Sequence, residues 1–418
     1  MNEPVNKPKR IAVIDAVRGL AMMGIMMVNL PSINSKVSEM TLNYGGISGP
    51  LDELANRFSM IFLNQRFYPI FAFLFGLSMF IFIDNLKSKG LYSYRLMMRR
   101  LFFLAIFGIL HIMFVWSGDI LLTYAWLGFF LVPCFRLSVR QTIWLAVMCL
   151  GFSFVEIGVA ILSHFQIWQG DIALNLSLFD FGYNEAMAQQ VYASGGFLDI
   201  TKQRIIDYIQ WYTWFGHGYG TSLKAAIPLF GYYIRLFGIF LFGLAAGKAG
   251  FHRKVFERVI TIKRIWIFSF LSILGFFLIQ YAIKDLPSVI NSVMGIAFAC
   301  FYICSMVLIA SSPRSARFLY FFIPVGRLSL TAYLLHTIFG SLLLYHYGIG
   351  LYWKVGPAFL TAMGFVCYFL VFVFCHYWFK YIGMGPVEKI WRRLTFGSAY
   401  KNSSLSESKK YCSPVLSS

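Results

Sequence analysis

The sequence predicts an all-α polytopic membrane protein of about ten transmembrane helices with both termini in the cytoplasm. Three observations predict it. The 418 residues are 59% hydrophobic and 13% charged, with a mean hydropathy of +0.68, whereas about a quarter of the residues of a soluble domain are charged. Apolar runs of about 20 residues, the length a helix needs to cross a bilayer, recur near 11–31, 58–83, 97–116, 119–135, 141–163, 225–247, 265–283, 289–311, 321–346 and 356–379. An even count puts both termini on one side, where the connecting segments hold about 26 Lys and Arg against about 8 opposite, and the cation-rich side is the cytoplasmic one.

The formal net charge of +19 has the same origin. The cations sit between the apolar segments, so topology accounts for them and no nucleic-acid partner is expected; the partner is the lipid bilayer. Cys134, Cys149, Cys300, Cys304, Cys367, Cys375 and Cys412 lie almost entirely in apolar stretches without metal-ligand spacing, so they read as small buried hydrophobes and no metal site is expected. The basic N-terminus leading into an apolar run is like a signal peptide. The run is longer than a signal core, carries Asp15 and Arg18 and lacks a small-residue cleavage site, so it is expected to be retained.

Four regions follow: an N-terminal five-helix half (1–163), an extracytoplasmic loop (164–224), a C-terminal five-helix half (225–397) and a Ser- and Lys-rich cytoplasmic tail (398–418) expected to be disordered. The loop carries an amphipathic stretch around Ile200 to Tyr212, suited to lying on the membrane or covering a cavity. Gly243 and Gly247 form a small-x-x-x-small face that packs helices within the bundle or between protomers, which keeps a homo-oligomer open.

Ionisable residues inside apolar spans are costly and mark functional sites by default. Asp15 and Arg18, three apart on one face of the first span, read either as an interfacial ion pair or as the wall of a polar cavity that anchors an anion. Asn29 lies at the other end of that helix, where Pro31 is expected to stop it. In the hairpin of spans three and four, a turn centred on Ser117 and Gly118 places His111 and Tyr124 at nearly equal depth, with Asp119 about one turn further out. A histidine near a tyrosine and a carboxylate has the composition of a general base with an orienting group, while Asp119 also suits a plain helix cap. Arg235 in span six and Glu156 in span five each need a partner. His217 lies in the Gly-rich FGHGYG just outside the membrane, and VGRLSLTAYLLHT puts Arg327 at the cytoplasmic edge with Thr331, Tyr333 and His336 deeper. Arg66 precedes the apolar FYPIFAFLFGLS, which reads as packing. The chain has no phosphate loop, no H-E-x-x-H and no G-x-S-x-G elbow, which argues against an ATP-driven pump or a zinc protease.

The motifs R-I-x-x-[IL]-D-x-x-R-G-x-A-x-x-G-I-x-x-x-N, FYPIFAFLFG, LHIMFVWSGDILLTYAWLG, VGRLSLTAYLLHT and GPVEKIWRRLTFG, in that order from Arg10 to Gly397, strongly resemble the YeiB-like bacterial inner-membrane family, whose C-terminal half is a domain of unknown function. The resemblance implies a multi-pass protein of the bacterial plasma membrane. The first motif is also similar to the start of the integral-membrane acyltransferases, which include lysosomal heparan-type glucosaminide acetyltransferases and O-acyltransferases of surface polysaccharides. That resemblance implies transfer from acetyl-CoA or another cytosolic acyl-CoA to an extracytoplasmic sugar, lipid or envelope acceptor. Arg18, Arg99 and Arg100 would meet the anionic donor, and His111, supported by Asp119 or Tyr124, would deprotonate the acceptor. Many of those enzymes carry a histidine near the outer end of span one, where this chain has Asn29. Two other readings stay open: a transporter or flippase of a small anion or lipid precursor, with Asp15, Arg18 and Arg235 along its route, and a scaffolding or sensing protein. A midplane site between discontinuous helices would mark the transporter.

Overall fold

A computed structural model describes residues 7–35, 49–88, 90, 94–164, 184–212, 223–282, 289–312 and 314–397, and every regular element among them is helical. The order is α1 (Lys7–Asn34), α2 (Pro50–Phe58), α3 (Tyr68–Ser88), α4 (Tyr94–Phe114), α5 (Leu121–Leu131), α6 (Val139–His164), α7 (Glu185–Ser194), α8 (Phe197–Tyr212), α9 (Leu223–Lys248), α10 (Val259–Ala282), α11 (Val289–Ser311), α12 (Ile323–Arg327), α13 (Ser329–Leu344), α14 (Pro357–Tyr381) and α15 (Pro386–Phe396).

Eight helices among the described residues are long and apolar enough to cross a membrane, and two of the ten expected spans are shorter. α5 ends at Leu131, and Pro133 then opens a tight 3-10 turn to Arg136. The expected ninth span is broken at Leu328 (φ −104°, ψ 37°) into α12 and α13. The second span reaches α3 only after a π-helical turn, Ser59–Leu63. α6 and α10 turn bulky apolar side chains such as Met148, Phe154, Phe268 and Leu278 outward. In a multi-pass membrane protein those faces meet lipid.

α1 is the central post, packed by α3, α11, α12, α13 and α14. Apolar helices gain little from burial against one another in lipid, so close backbone contact carries the packing. The tightest crossing is α1 on α12: a Cβ on Gly326 would lie 1.7 Å from Asp15 O, and one on Gly19 2.0 Å from Phe322 O. Gly76 and Gly243 do the same for α3 and α9, each 2.0 Å from the facing carbonyl (Phe240 O and Phe73 O). Gly247 abuts the Phe80 ring. The small-residue face of α9 is therefore used inside the bundle, on α3, and is not left for a second protomer.

α1 also overruns its expected stop. Pro31 lies within its last turn and the helix continues to Asn34. A proline removes one intrahelical bond, here to the Met27 carbonyl, which is least disruptive near a helix end. Asn34 then fixes that end, accepting from Trp353 N at 2.8 Å and donating to Val355 O at 3.4 Å.

Candidate functional site

The end of the bundle marked by Asn29 holds a buried polar cluster that includes His111, Asp119, His336 and Thr337. His111, in the last turn of α4, places Nδ1 3.0 Å from Asp119 Oδ1, both side chains being fully buried. The approach is a close contact of ring nitrogen and carboxylate without the alignment of a linear hydrogen bond. The other carboxylate oxygen accepts from Leu122 N at 2.6 Å, so Asp119 opens α5 as a cap and faces His111 at once. On the far side of the ring, Nε2 lies 2.9 Å from Thr337 Oγ1. A carboxylate on one nitrogen and a hydroxyl on the other is the arrangement of an oriented base.

α13 brings a second histidine to the same place. Tyr333 lies between the two rings, with centroids 5.1 Å from His111 and 5.3 Å from His336. His336 Nε2 is 2.9 Å from Asn29 Nδ2 on α1, and its Nδ1 is 3.3 Å from Ala332 O. Asn29 is thus an interhelical contact, not a helix terminus.

Tyr124 does not share this cluster. Its ring packs on Phe75 and Phe240, with centroids at 5.2 and 5.0 Å, and its hydroxyl donates to Tyr68 O at 3.4 Å. The equal-depth expectation fails because the α4–α5 connection is longer than a two-residue turn: chain from Val115 to Ile120 separates the helices, so Asp119 comes level with His111. Leu122 N would be 2.4 Å from a Cβ on Gly108, which puts Tyr124 further down α4. Tyr333 occupies the place expected of Tyr124.

Arg235 is elsewhere again, in a buried ion pair with Glu156 and 3.4 Å from Ser153 Oγ. Each residue is the partner the other needs. His217 lies outside the described residues, as does the tail from 398. Arg66, just before the segment expected to serve packing, is a buried clamp: its guanidinium donates to Asn291 O at 2.7 Å and Ile61 O at 3.2 Å and lies over Phe298.

The opposite end of α1 gathers cations. Asp15 is shared, with Oδ1 accepting from Arg18 Nη1 at 3.0 Å and Oδ2 from Arg327 Nε at 3.2 Å. Arg18 Nη2 also donates to Ser78 Oγ at 2.7 Å. Arg327 lies over the Phe379 ring, and Arg99 and Arg100 join from the first turns of α4, with Arg99 over Phe103 and beside Gly397. Asp15 and Asn29 are fourteen residues apart on one helix, about 21 Å at 1.5 Å per residue.

Two further features escaped sequence reasoning. Glu388 of α15 accepts from Leu330 N at 2.8 Å, Thr331 N at 3.0 Å and Thr331 Oγ1 at 2.5 Å, which caps α13 at the break that creates it; burial pushes the Glu388 carboxyl up. Its signal was a glutamate just after the helix-opening Gly385–Pro386. On the other side, α8 packs on α4, with α7 against α8: Arg204 donates to the carbonyl of Met113, two residues past His111, at 3.2 Å and to Tyr347 OH at 2.6 Å. Beside it Asp207 accepts from Tyr192 OH at 2.5 Å and Gln203 Nε2 at 2.8 Å. Burial raises the Asp207 carboxyl to about 6. Arg204 and Asp207 are three apart on the expected amphipathic helix, a spacing that marked one face but not a buried one.

Fold and site define an all-α multi-pass membrane protein with buried polar clusters at both ends of its central helix. Residues 246–398 match the family described as "Protein of unknown function (DUF418)". Over its length the chain is 30% identical to "Uncharacterized protein YxaH" of Bacillus subtilis (strain 168), covering 94% of this chain and 96% of that one. It is 26% identical to "Uncharacterized protein YeiB" of Escherichia coli (strain K12), covering 94% and 97%. An "Uncharacterized 39.9 kDa protein in amylase 3'region" of Bacillus acidopullulyticus is 24% identical, covering 95% and 97%. The chain belongs to this YeiB-like family.

Proposed function

We propose that this protein is a membrane acyltransferase that passes an acyl group from a cytosolic CoA-type donor to a hydroxyl or amine on an extracytoplasmic sugar, lipid or envelope acceptor. The observation that carries the reading is the buried cluster of Asp119, His111 and Thr337. Thr337 Oγ1, 2.9 Å from Nε2, donates to the Tyr333 and Leu334 carbonyls; with the Nδ1 proton held towards Asp119, Nε2 would take the proton of an acceptor hydroxyl that stood in the place of Thr337 Oγ1. In the transfer the acceptor oxygen bonds to the thioester carbonyl carbon and its proton moves to His111 Nε2. The carbon–sulfur bond breaks, and the leaving thiolate takes that proton.

The donor would bind at the Asp15 end, where Arg18, Arg99, Arg100 and Arg327 outnumber the carboxylates and guanidinium groups suit phosphate. The pantetheine arm of a CoA thioester is the part of the donor that would bridge the roughly 21 Å of α1 between the clusters. Asn29 and His336 border the acceptor side.

The test is transfer of label from radioactive acetyl-CoA to an envelope extract by the purified protein. Wild type is expected to label acceptor and His111→Ala is not; no label with wild type removes the enzyme reading. The break between α12 and α13 favours one second reading, transport of an anion past a discontinuous helix. Uptake of an anionic solute into proteoliposomes without any acyl transfer would select it.

A further inference from the structure

α15 lies against the first turns of α4. Trp391 Nε1 donates to Arg100 O at 2.9 Å, which seats the indole beside the Arg100 side chain. The guanidinium carbon is then 3.6 Å from the Trp391 ring centre and 4.6 Å from that of Phe82 on α3. These contacts hold the guanidinium against two rings and leave its N–H donors to point outward in its own plane.

Those donors have no acceptor among the described residues, and they are not sealed: the side chain is partly exposed and none of its nitrogens is a buried orphan. Other guanidinium groups of the bundle interior end differently. Arg235 meets Glu156, Arg66 meets carbonyls, and Arg18 and Arg327 share Asp15. Arg100 instead has two further cations, Arg18 and Arg392, within electrostatic reach. The nearby carboxylates are committed, Asp15 to its two arginines and Glu388 to the first turn of α13. A fixed fork of open donors among like charges is the arrangement that recognises a multiply charged oxyanion bidentately.

We infer that Arg100, held against Trp391 and Phe82, is a phosphate-binding site that the C-terminal helix α15 completes. The ligand class is a phosphate ester or diphosphate, carried by a soluble donor or by an anionic phospholipid headgroup. Naming the soluble donor rests on the acyltransferase reading; the phosphate chemistry does not.

The experiment is therefore binding without turnover. Full-length protein in a neutral detergent is titrated with sodium pyrophosphate, with sodium sulfate at matched ionic strength as control, and followed by calorimetry and thermal unfolding. Saturable binding beyond the sulfate effect is expected, weakened at least about tenfold in Arg100→Gln. Arg100→Lys, which keeps the charge and loses the planar fork, should fall between the two, and Trp391→Ala, which removes the ring that holds the fork, should weaken binding as well. Both keep the test readable should Arg100→Gln fold poorly. In nanodiscs, weaker pyrophosphate binding when phosphatidylglycerol replaces phosphatidylcholine points to a lipid headgroup, and unchanged binding to a soluble ligand. The inference is overturned if Arg100→Gln and Arg100→Lys bind pyrophosphate as wild type does, or if sulfate reproduces the whole effect. Because no acyl transfer is measured, an inactive enzyme and an absent phosphate site give separate results.

Discussion

Asn29 Nδ2 and His336 Nε2 stand 2.9 Å apart and join α1 to α13. The second ring nitrogen faces the Ala332 carbonyl, which can only accept, so Nδ1 carries the proton and Nε2 accepts from the amide. Removing the amide in Asn29→Ala leaves a buried acceptor unpaired, expected to cost about 1–3 kcal/mol. Asn29→Asp sets an acceptor against an acceptor and should cost at least as much. Thermal unfolding in detergent reads both, and wild-type midpoints in both would mean that the contact holds nothing in place.

Asp119 separates capping from catalysis. Asp119→Asn keeps an oxygen for Leu122 N but removes the charge facing His111, so stability should stay near wild type while acyl transfer falls about 100-fold or more. Asp119→Ala loses both, with a further loss of about 1 kcal/mol in stability. Thr337→Val should retain most transfer if the hydroxyl only stands in for the acceptor. Equal transfer by Asp119→Asn and wild type would show that the carboxylate is a cap alone.

The Arg235–Glu156 pair is a structural expectation of opposite kind. Breaking a buried pair from one side leaves an uncompensated charge and costs about 3–5 kcal/mol, while replacing both partners with apolar residues is often neutral. Arg235→Met and Glu156→Leu should each lower expression and unfolding temperature sharply, and the double variant should recover most of the loss. Parallel single and double losses would place the value of the pair outside its charge.

Most of the helical architecture was legible in the sequence because the bilayer imposes long apolar runs, and those runs survive tertiary context. The exceptions are the two short helices, where local geometry and not hydropathy decides: α5 stops just before Pro133, and the ninth span breaks at Leu328, where Glu388 caps the start of α13. At the site, His111 with Asp119 was readable because both lie in one hairpin, whereas an assumed turn length misplaced Tyr124. Thr337, Glu388 and Arg204 were not readable. Their partners are 226, 58 and 143 residues away, and no local period encodes such pairings.

The α7–α8 cover carries its own pH dependence. Asp207 is raised from 3.8 to about 6 because burial disfavours its charge more than the Tyr192 and Gln203 donors favour it. Between those values the folded protein holds a proton that the unfolded chain has released, so stability falls as pH rises through the window. It is full below about pH 4 and reaches its lower plateau above about pH 6, a difference of roughly 3 kcal/mol at 1.36 kcal/mol per unit. Hydrogen exchange of α8 amides, corrected for the intrinsic pH dependence of exchange, should show more opening at pH 7 than at pH 4.5. Asp207→Asn should remove that slope, because the side chain no longer titrates while its oxygen still accepts from Tyr192. A slope that persists in Asp207→Asn would assign the pH dependence to another group.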